Sequence, residues 1–176
     1  MRITNNVSET MLFLSRTLAS KTNLSQRHGC TENEYTAWAY CRHDGLTAVA
    51  ITSNNYSKRI IFNMLNKAQS IYEANQHNWT WSLTTIDQKH NPHIYDALTN
   101  LVQEYQNPKQ VDSLERCQLD LENTNIVLHQ SIDLLLNRGE KIDTLAAKSA
   151  DLSAASKTFL RKAKKNNSWC KDCAIM

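Results

Sequence analysis

Between Asp112 and Asn166 the chain carries a stripe that few folds can absorb. Its centre is Arg138. Steps of three and four residues backwards reach Leu135, Ser131, Leu128, Thr124, Leu121, Cys117 and Leu114. The same steps forwards reach Ile142, Leu145, Ser149, Leu152, Ser156, Phe159, Ala163 and Asn166. Most of these side chains are apolar or small, and the spacing averages about 3.5 residues, the period of a left-handed coiled-coil seam. A helix carrying the whole stripe would reach on the order of 80 Å. A small domain cannot cover such a seam alone, so the rod expects partner helices.

One seam position holds an arginine. A guanidinium among apolar layers is costly unless its donors find acceptors. A single polar seam residue is a device that fixes register and partner number at the expense of stability. Gly139 follows it and weakens the helix by about 1 kcal/mol relative to alanine. The expectation is a segment that is unfolded or only partly helical alone and that orders on binding.

The chain's 176 residues allow one compact domain beside this rod. Its formal net charge of +3 is too small to argue for nucleic acid. Positive charge is concentrated at the C-terminus, in Arg161, Lys162, Lys164, Lys165 and Lys171, which suits an anionic membrane surface. With 3 glycines and 2 prolines, long flexible linkers are not expected. Five cysteines without a dense framework, and no N-terminal signal sequence, favour a reducing, cytosolic setting. No apolar run approaches the roughly 18 residues that span a bilayer, so membrane attachment would have to come from lipid.

The residues before the rod read as a small α+β domain over 1–108. Asn6 and Glu9 resemble a capping box, followed by the helical stripe Val7, Met11, Leu14 and Leu18. Arg27 to Glu32 is turn-like and polar, with at most a short edge strand. Tyr35 to Arg42 and Leu46 to Thr52 read as strands joined by the His43-Asp44-Gly45 turn. Tyr56 to Asn75 is a second helix with Ile60, Ile61, Met64, Leu65, Ala68, Ile71 and Tyr72 on one face. His77 to His90 alternates Trp79, Trp81 and Leu83, as a strand or as a loop anchored by tryptophans. Asn91-Pro92 opens a third helix with the stripe Ile94, Leu98, Leu101 and Tyr105, and Asn107-Pro108 ends it.

The last residues carry chemistry. Cys173-Ala174-Ile175-Met176 fits a C-terminal prenylation box, and a terminal methionine favours farnesyl on Cys173. One prenyl chain gives reversible attachment, so a second signal is expected, from Cys170 as a palmitoylation candidate or from the basic cluster. Cys170 and Cys173 also form a C-x-x-C, but no second ligand pair lies near them, so no metal is expected. Cys30 and Cys41 read as ordinary small core or surface residues, and Cys117 as a small hydrophobe of the seam.

Taken together, the chain resembles the prenylated, longin-type R-SNAREs, the synaptobrevin homologues of the Ykt-six type. The likeness is closest from Leu128 to Met176: Leu128-His129-Gln130, Asn137-Arg138-Gly139-Glu140-Lys141, Phe159 late in the seam, and the Cys-Ala-Ile-Met end. Tyr105-Gln106-Asn107-Pro108 and Asn54-Asn55-Tyr56-Ser57 match as well. The resemblance implies a longin (profilin-like) domain, an R-SNARE coiled-coil motif at 112–166 and a lipidated tail at 167–176. It implies Arg138 as an ionic-layer arginine facing glutamines from Qa, Qb and Qc SNARE partners. The layers would be Leu114, Cys117, Leu121, Thr124, Leu128, Ser131, Leu135, Ile142, Leu145, Ser149, Leu152, Ser156, Phe159 and Ala163. It also implies a role in membrane fusion without catalysis or cofactor, in the cytosol and on the cytoplasmic face of endomembranes (Golgi, ER, endosome or vacuole). In this family the longin domain folds back on the motif and shelters the lipid. Two departures are noted. The chain begins at what matches the helix after the family's first hairpin, so a longin domain without its first two strands, with one sheet edge open, is expected. Lys171 and Asp172 separate Cys170 from Cys173, where the family has adjacent cysteines.

Two other classes compete. A prenylated coiled-coil adaptor would use the same seam without driving fusion, and should tolerate Arg138→Leu. An enzyme would need a catalytic constellation. The histidines His28, His43, His77, His90 and His93 show no H-E-x-x-H spacing, and no nucleophile elbow or phosphate loop is present.

Overall fold

The computed structural model describes residues 2–32, 34–75, 92–106, 126–136, 140–150 and 152–162. In chain order these form α1 (Arg2–Lys21), β1 (Arg27–Glu32), β2 (Tyr35–Cys41), β3 (Thr47–Ser53), α2 (Lys58–Ala74), α3 (Pro92–Glu104), β4 (Ile126–His129), α4 (Ile132–Leu135) and α5 (Ile142–Lys148). A last helix, α6, covers 154–162. The expected stretches 77–90 and 107–108 lie outside the described residues.

The hairpin forms as its turn chemistry predicts. Strands β2 and β3 pair antiparallel from Tyr35↔Ser53 to Cys41↔Thr47. Gly45 takes the left-handed conformation that a side chain resists, with φ +88°. The Leu46 N–H is held by Asp44 Oδ1 at 3.1 Å. Arg42 locks the turn to α2 by donating to Glu73 at 2.7 Å and to Asp44.

Two sequence expectations need correction. Arg27–Glu32 is a full strand rather than a polar turn with an edge: β1 lies between β2 and β4 in the sheet order β3-β2-β1-β4. Its polar side chains are accommodated by rings. The Arg27 guanidinium sits 4.5 Å from the Tyr40 centroid and 5.6 Å from that of Phe62, a cation–π arrangement, and His28 stacks on another histidine. Asn6 does not cap α1 either. The helix starts earlier, and the Asn6 carbonyl accepts a hydrogen bond from Thr10 Oγ1 within the helix.

Alternation along the strands divides the side chains between two layers. On one face Trp38, Tyr40, Ala48, Ala50 and Ile126 pack with Ile61, Phe62 and Leu65 of α2. Trp38 and Phe62 meet edge to face at 5.6 Å. Outside this layer, Ile60 of α2 meets Leu101 of α3 and Tyr105 just past the end of that helix. Tyr56 Oη donates to the Tyr105 carbonyl at 2.6 Å and ties the two helices together. On the opposite face Cys30, Ala37, Ala39 and Val49 meet Phe13, Leu14 and Leu18 of α1. That same cluster contains Ile132, Leu136, Ile142, Ala146, Leu152 and Leu160. The seam segment therefore completes the layer that α1 begins.

Candidate functional site: the seam segment on its docking face

In this lone chain the described seam residues do not lie on one rod. They fall in a strand and three short helices laid along the sheet and α1. The partial helix expected of an unpartnered segment is present. The strand is not foreshadowed by the heptads. At Ile126–His129 two β-branched residues begin a four-residue run, and the edge of β1 supplies the backbone partners that a lone helix end lacks.

Strand β4 pairs in parallel with β1 in the register Arg27↔Ile126, His28↔Val127, Gly29↔Leu128 and Cys30↔His129. Two features fix this register. Gly29 leaves the space that Leu128 and Trp38 occupy: a Cβ there would meet Leu128 Cδ2 at 2.7 Å and Trp38 Cζ3 at 2.8 Å. On the other face His129 stacks on His28, with ring centroids 5.4 Å apart and planes inclined by 27°.

Two of the short helices, α5 and α6, are started by groups from outside them. Lys141 lies before α5 and makes no side-chain cap, and Asp133 Oδ1 accepts the Ile142 N–H at 3.1 Å instead. Before α6, Ser153 Oγ accepts the Ser156 N–H at 3.2 Å. Glu9 of α1 reaches the same helix start. Its carboxylate accepts the Ser153 N–H at 3.2 Å and Ser156 Oγ–H at 2.7 Å. A carboxylate at a helix N-terminus also meets the positive end of the helix dipole. The hydrogen bond from Ser156, then those from Ser153, hold the Glu9 carboxyl below its ordinary value. Lys21 of α1 donates to Glu140 at 3.0 Å, next to the connection into α5. This last pair is partly exposed and worth at most about 1 kcal/mol.

The seam residues divide by what they touch. Ile142, Leu152 and Ser156 are buried, Ser156 completely. Leu135 and Leu145 are half-buried against the same cluster. Ser131 and Ser149 are half-buried, while Leu128 and Phe159 stay 49% and 38% exposed. Ile132, Leu136, Ala146 and Leu160 are buried beside them although each lies one residue past a seam position. The docking face thus selects a stripe rotated from the seam and overlapping it at Ile142, Leu152 and Ser156. Those three side chains cannot face this sheet and a set of partner helices at the same time. Arg138, Leu114, Cys117, Leu121, Thr124, Ala163, Cys170 and Cys173 lie outside the described residues.

Several of these contacts escaped the sequence reading. Ser153 three residues before Ser156 is a helix-start signal, overlooked inside an unbroken heptad. From the sequence, Glu9 reads as serving its own helix. The stacking of His28 on His129 had no signal, because the two residues are far apart in sequence. Cys30 and Cys41 are buried free thiols, as ordinary core residues would be. Burial pushes the Cys30 thiol up to about 12, with smaller effects from Glu32 and Asp133. Among the described residues no group of three His, Cys, Asp or Glu side chains is placed to hold a metal ion. No described helix is long and apolar enough to cross a membrane.

A four-stranded sheet between α1 and α2–α3, with a heptad segment folded onto its α1 face, defines a longin-bearing SNARE. The synaptobrevin family profile matches residues 113–176, and the longin profile, described as a regulated-SNARE-like domain, matches residues 2–92. The chain is 37% identical over 166 residues to the synaptobrevin homolog YKT6 of Debaryomyces hansenii, covering 94% of this chain and 82% of that protein. It is 39% identical over 94% of its length to the Eremothecium gossypii protein of the same name, with 82% of that protein covered. Against the VAMP-like protein YKT61 of Arabidopsis thaliana the identity is also 39%, over 94% of this chain and 81% of the other. The chain belongs to the Ykt6 family of longin R-SNAREs, non-enzymatic proteins of vesicle transport that act with SNARE partners.

Proposed function

We propose that this chain is a lipid-anchored R-SNARE whose longin-like domain, residues 1–108, holds the 112–166 motif closed until Q-SNARE partners take it. In the assembled state the motif is one helix of a parallel four-helix bundle with a Qa, a Qb and a Qc SNARE. Arg138 faces their glutamines in the central layer, where its fixed fork of donors rewards one register. The layers on either side run from Leu114 to Ala163. Farnesyl on Cys173, helped by an acyl group on Cys170 and by the basic residues before it, attaches the 167–176 tail to the cytoplasmic face of an endomembrane. Zippering towards that anchor draws two membranes together. The observation that carries the closed half of this reading is the burial of Ile142, Leu152 and Ser156 against the α1 face.

The test mixes the full chain with Qa, Qb and Qc SNARE motifs and follows circular dichroism against temperature. A gain in helix with one cooperative melt is expected, lost when any partner is omitted. Arg138→Leu should permit complexes with an incomplete or misregistered partner set. If Arg138→Leu leaves partner selection unchanged, or the chain gains helix at a stability set only by its own concentration, the adaptor reading replaces this one.

A further inference from the structure

The contact between His28 and His129 has no part in the proposed bundle, and it includes a buried histidine, the residue type whose charge ordinarily changes near neutral pH. It joins β1, in the longin half, to β4, in the motif, on the face where α1 and α4 pack. His28 is buried, and its Nε2 lies 3.0 Å from Gln26 Oε1. That oxygen also accepts from Asn23 Nδ2 at 3.3 Å, so the proton between Gln26 and His28 belongs to Nε2. The other nitrogen, Nδ1, is therefore bare. It is buried without a hydrogen-bond partner among the described residues, as is Nε2 of His129. A second proton on His28 would have to sit on Nδ1, where it would be a buried charge with no acceptor, stacked on another imidazole. An unpaired buried charge is strongly unfavourable, so a closed His28 stays neutral and a protonated one favours the state in which its ring reaches water.

We propose that His28 and His129 form a proton-operated latch: with His28 neutral the two rings stack and hold β4 on β1, and protonation of His28 releases β4 and with it the docked motif. This rests on the closed packing described above and adds a regulator to it.

Other charged groups on this side bear on the mechanism. Arg16 and Lys21 are on α1, with Lys21 engaged by Glu140. From β2 the face contributes Ala39 and Cys41. Asp133 on α4 and Glu32 on β1 act on the Cys30 thiol one pair along. Their negative charge would ease a nearby imidazolium and so weaken the latch rather than create it. Arg27 points to the opposite face, over Tyr40 and Phe62. Desolvation first, and the charge of His129 second, hold the His28 imidazole below its ordinary value of 6.5. The sign follows directly. The released state binds the proton more readily than the closed state, so the latch is fully set above about pH 6.5 and weakens as pH falls below it. Between pH 7.5 and 5.5, one histidine that protonates only when released shifts the equilibrium by at most about tenfold. Glu9 responds in the same direction, but only below its ordinary 4.5. It therefore makes no contribution in this window.

Hydrogen exchange on the full chain without partners tests the latch, with rates corrected to the intrinsic exchange rate at each pH. At pH 7.5 the amides of 126–136 should be protected relative to a free peptide. At pH 5.5 they should exchange severalfold faster relative to intrinsic, up to about tenfold, while 35–53 keeps its protection. His28→Phe keeps a stacking ring without a proton site and should remove the pH effect, whereas His129→Phe keeps the ring over His28 and should leave it. Should either variant fail to fold, ring NMR of the unaltered chain decides. His28 should titrate below 6.5, with loss of the β4 amide signals following the same midpoint. The latch is overturned by pH-independent protection of 126–136, by an undiminished pH effect in His28→Phe, or by 35–53 opening in parallel. No partner is present, so failure of bundle assembly and failure of the latch are read separately.

Discussion

Leu136→Ala weakens one packing of the motif and spares the other. In the closed chain Leu136 is 7% exposed and belongs to the cluster between α1 and the sheet. In the proposed bundle it directly follows the seam residue Leu135, so it is turned about 100° around the helix, towards solvent. Truncating a buried leucine costs about 2 to 5 kcal/mol in a well-packed core. The low half of that range, about 2 to 3 kcal/mol, applies here, because a short docked segment relaxes around a cavity more readily than a domain interior. That corresponds to a shift of about 30- to 150-fold from closed towards open. If the motif must leave the sheet before partners can engage it, assembly with Q-SNARE motifs speeds up by the same factor until opening no longer limits the rate. The assay is the rise of helical circular dichroism after mixing, at partner concentrations where the rate is still proportional to the open fraction. The finished complex should melt at the unaltered temperature. An unchanged assembly rate would show that the docking face does not restrain the motif. A large fall in the melting temperature of the complex would show that the register is wrong.

The reciprocal perturbation is Phe159→Ala. It removes a side chain already 38% exposed in the closed chain and should destabilise the assembled complex by about 3 to 5 kcal/mol, read as a lower melting temperature, with little effect on hydrogen-exchange protection of the closed form. Gly29→Ala drives a methyl into Leu128 and Trp38. It should lower the thermal midpoint of the free chain and expose 126–129 to exchange, and an unaltered midpoint would contradict the close approach. Because burial holds the Cys30 thiol up at about 12, it should resist alkylation at pH 8 in the closed chain, and Leu136→Ala should speed its modification. Changing Cys173 to serine should abolish recovery on membranes when the chain is expressed in cells. Persistent membrane binding would place the anchor elsewhere.

The longin half was largely legible because its signals are local. A helical stripe, an Asp-Gly turn between strand-like runs and a proline at the first helical position each define an element within one window of sequence. The strand at Arg27–Glu32 was not legible. Its polarity reads as a turn, and only the rings of Tyr40, Phe62 and His129, all distant in sequence, make Arg27 and His28 acceptable inside a sheet. The motif posed the opposite difficulty. Its heptads fit the proposed state with partners, and they say nothing of Ile126–His129 as a strand or of the rotated stripe through Ile132, Leu136, Ala146 and Leu160. Both patterns are written in the same residues, and the longer period hides the shorter one. The Glu9 contact was illegible for a simpler reason. Its capping partner is on another helix, and a capping box is recognised only within one.

The most direct measurement compares assembly rates of the full chain and of the isolated 112–166 segment with the same Qa, Qb and Qc motifs. If the α1 face and the β1 edge hold the motif closed, the full chain assembles more slowly by the closed-to-open ratio, and Leu136→Ala moves it towards the isolated segment. Equal rates for the full chain and the segment would contradict the claim that one set of seam residues is shared between two exclusive packings.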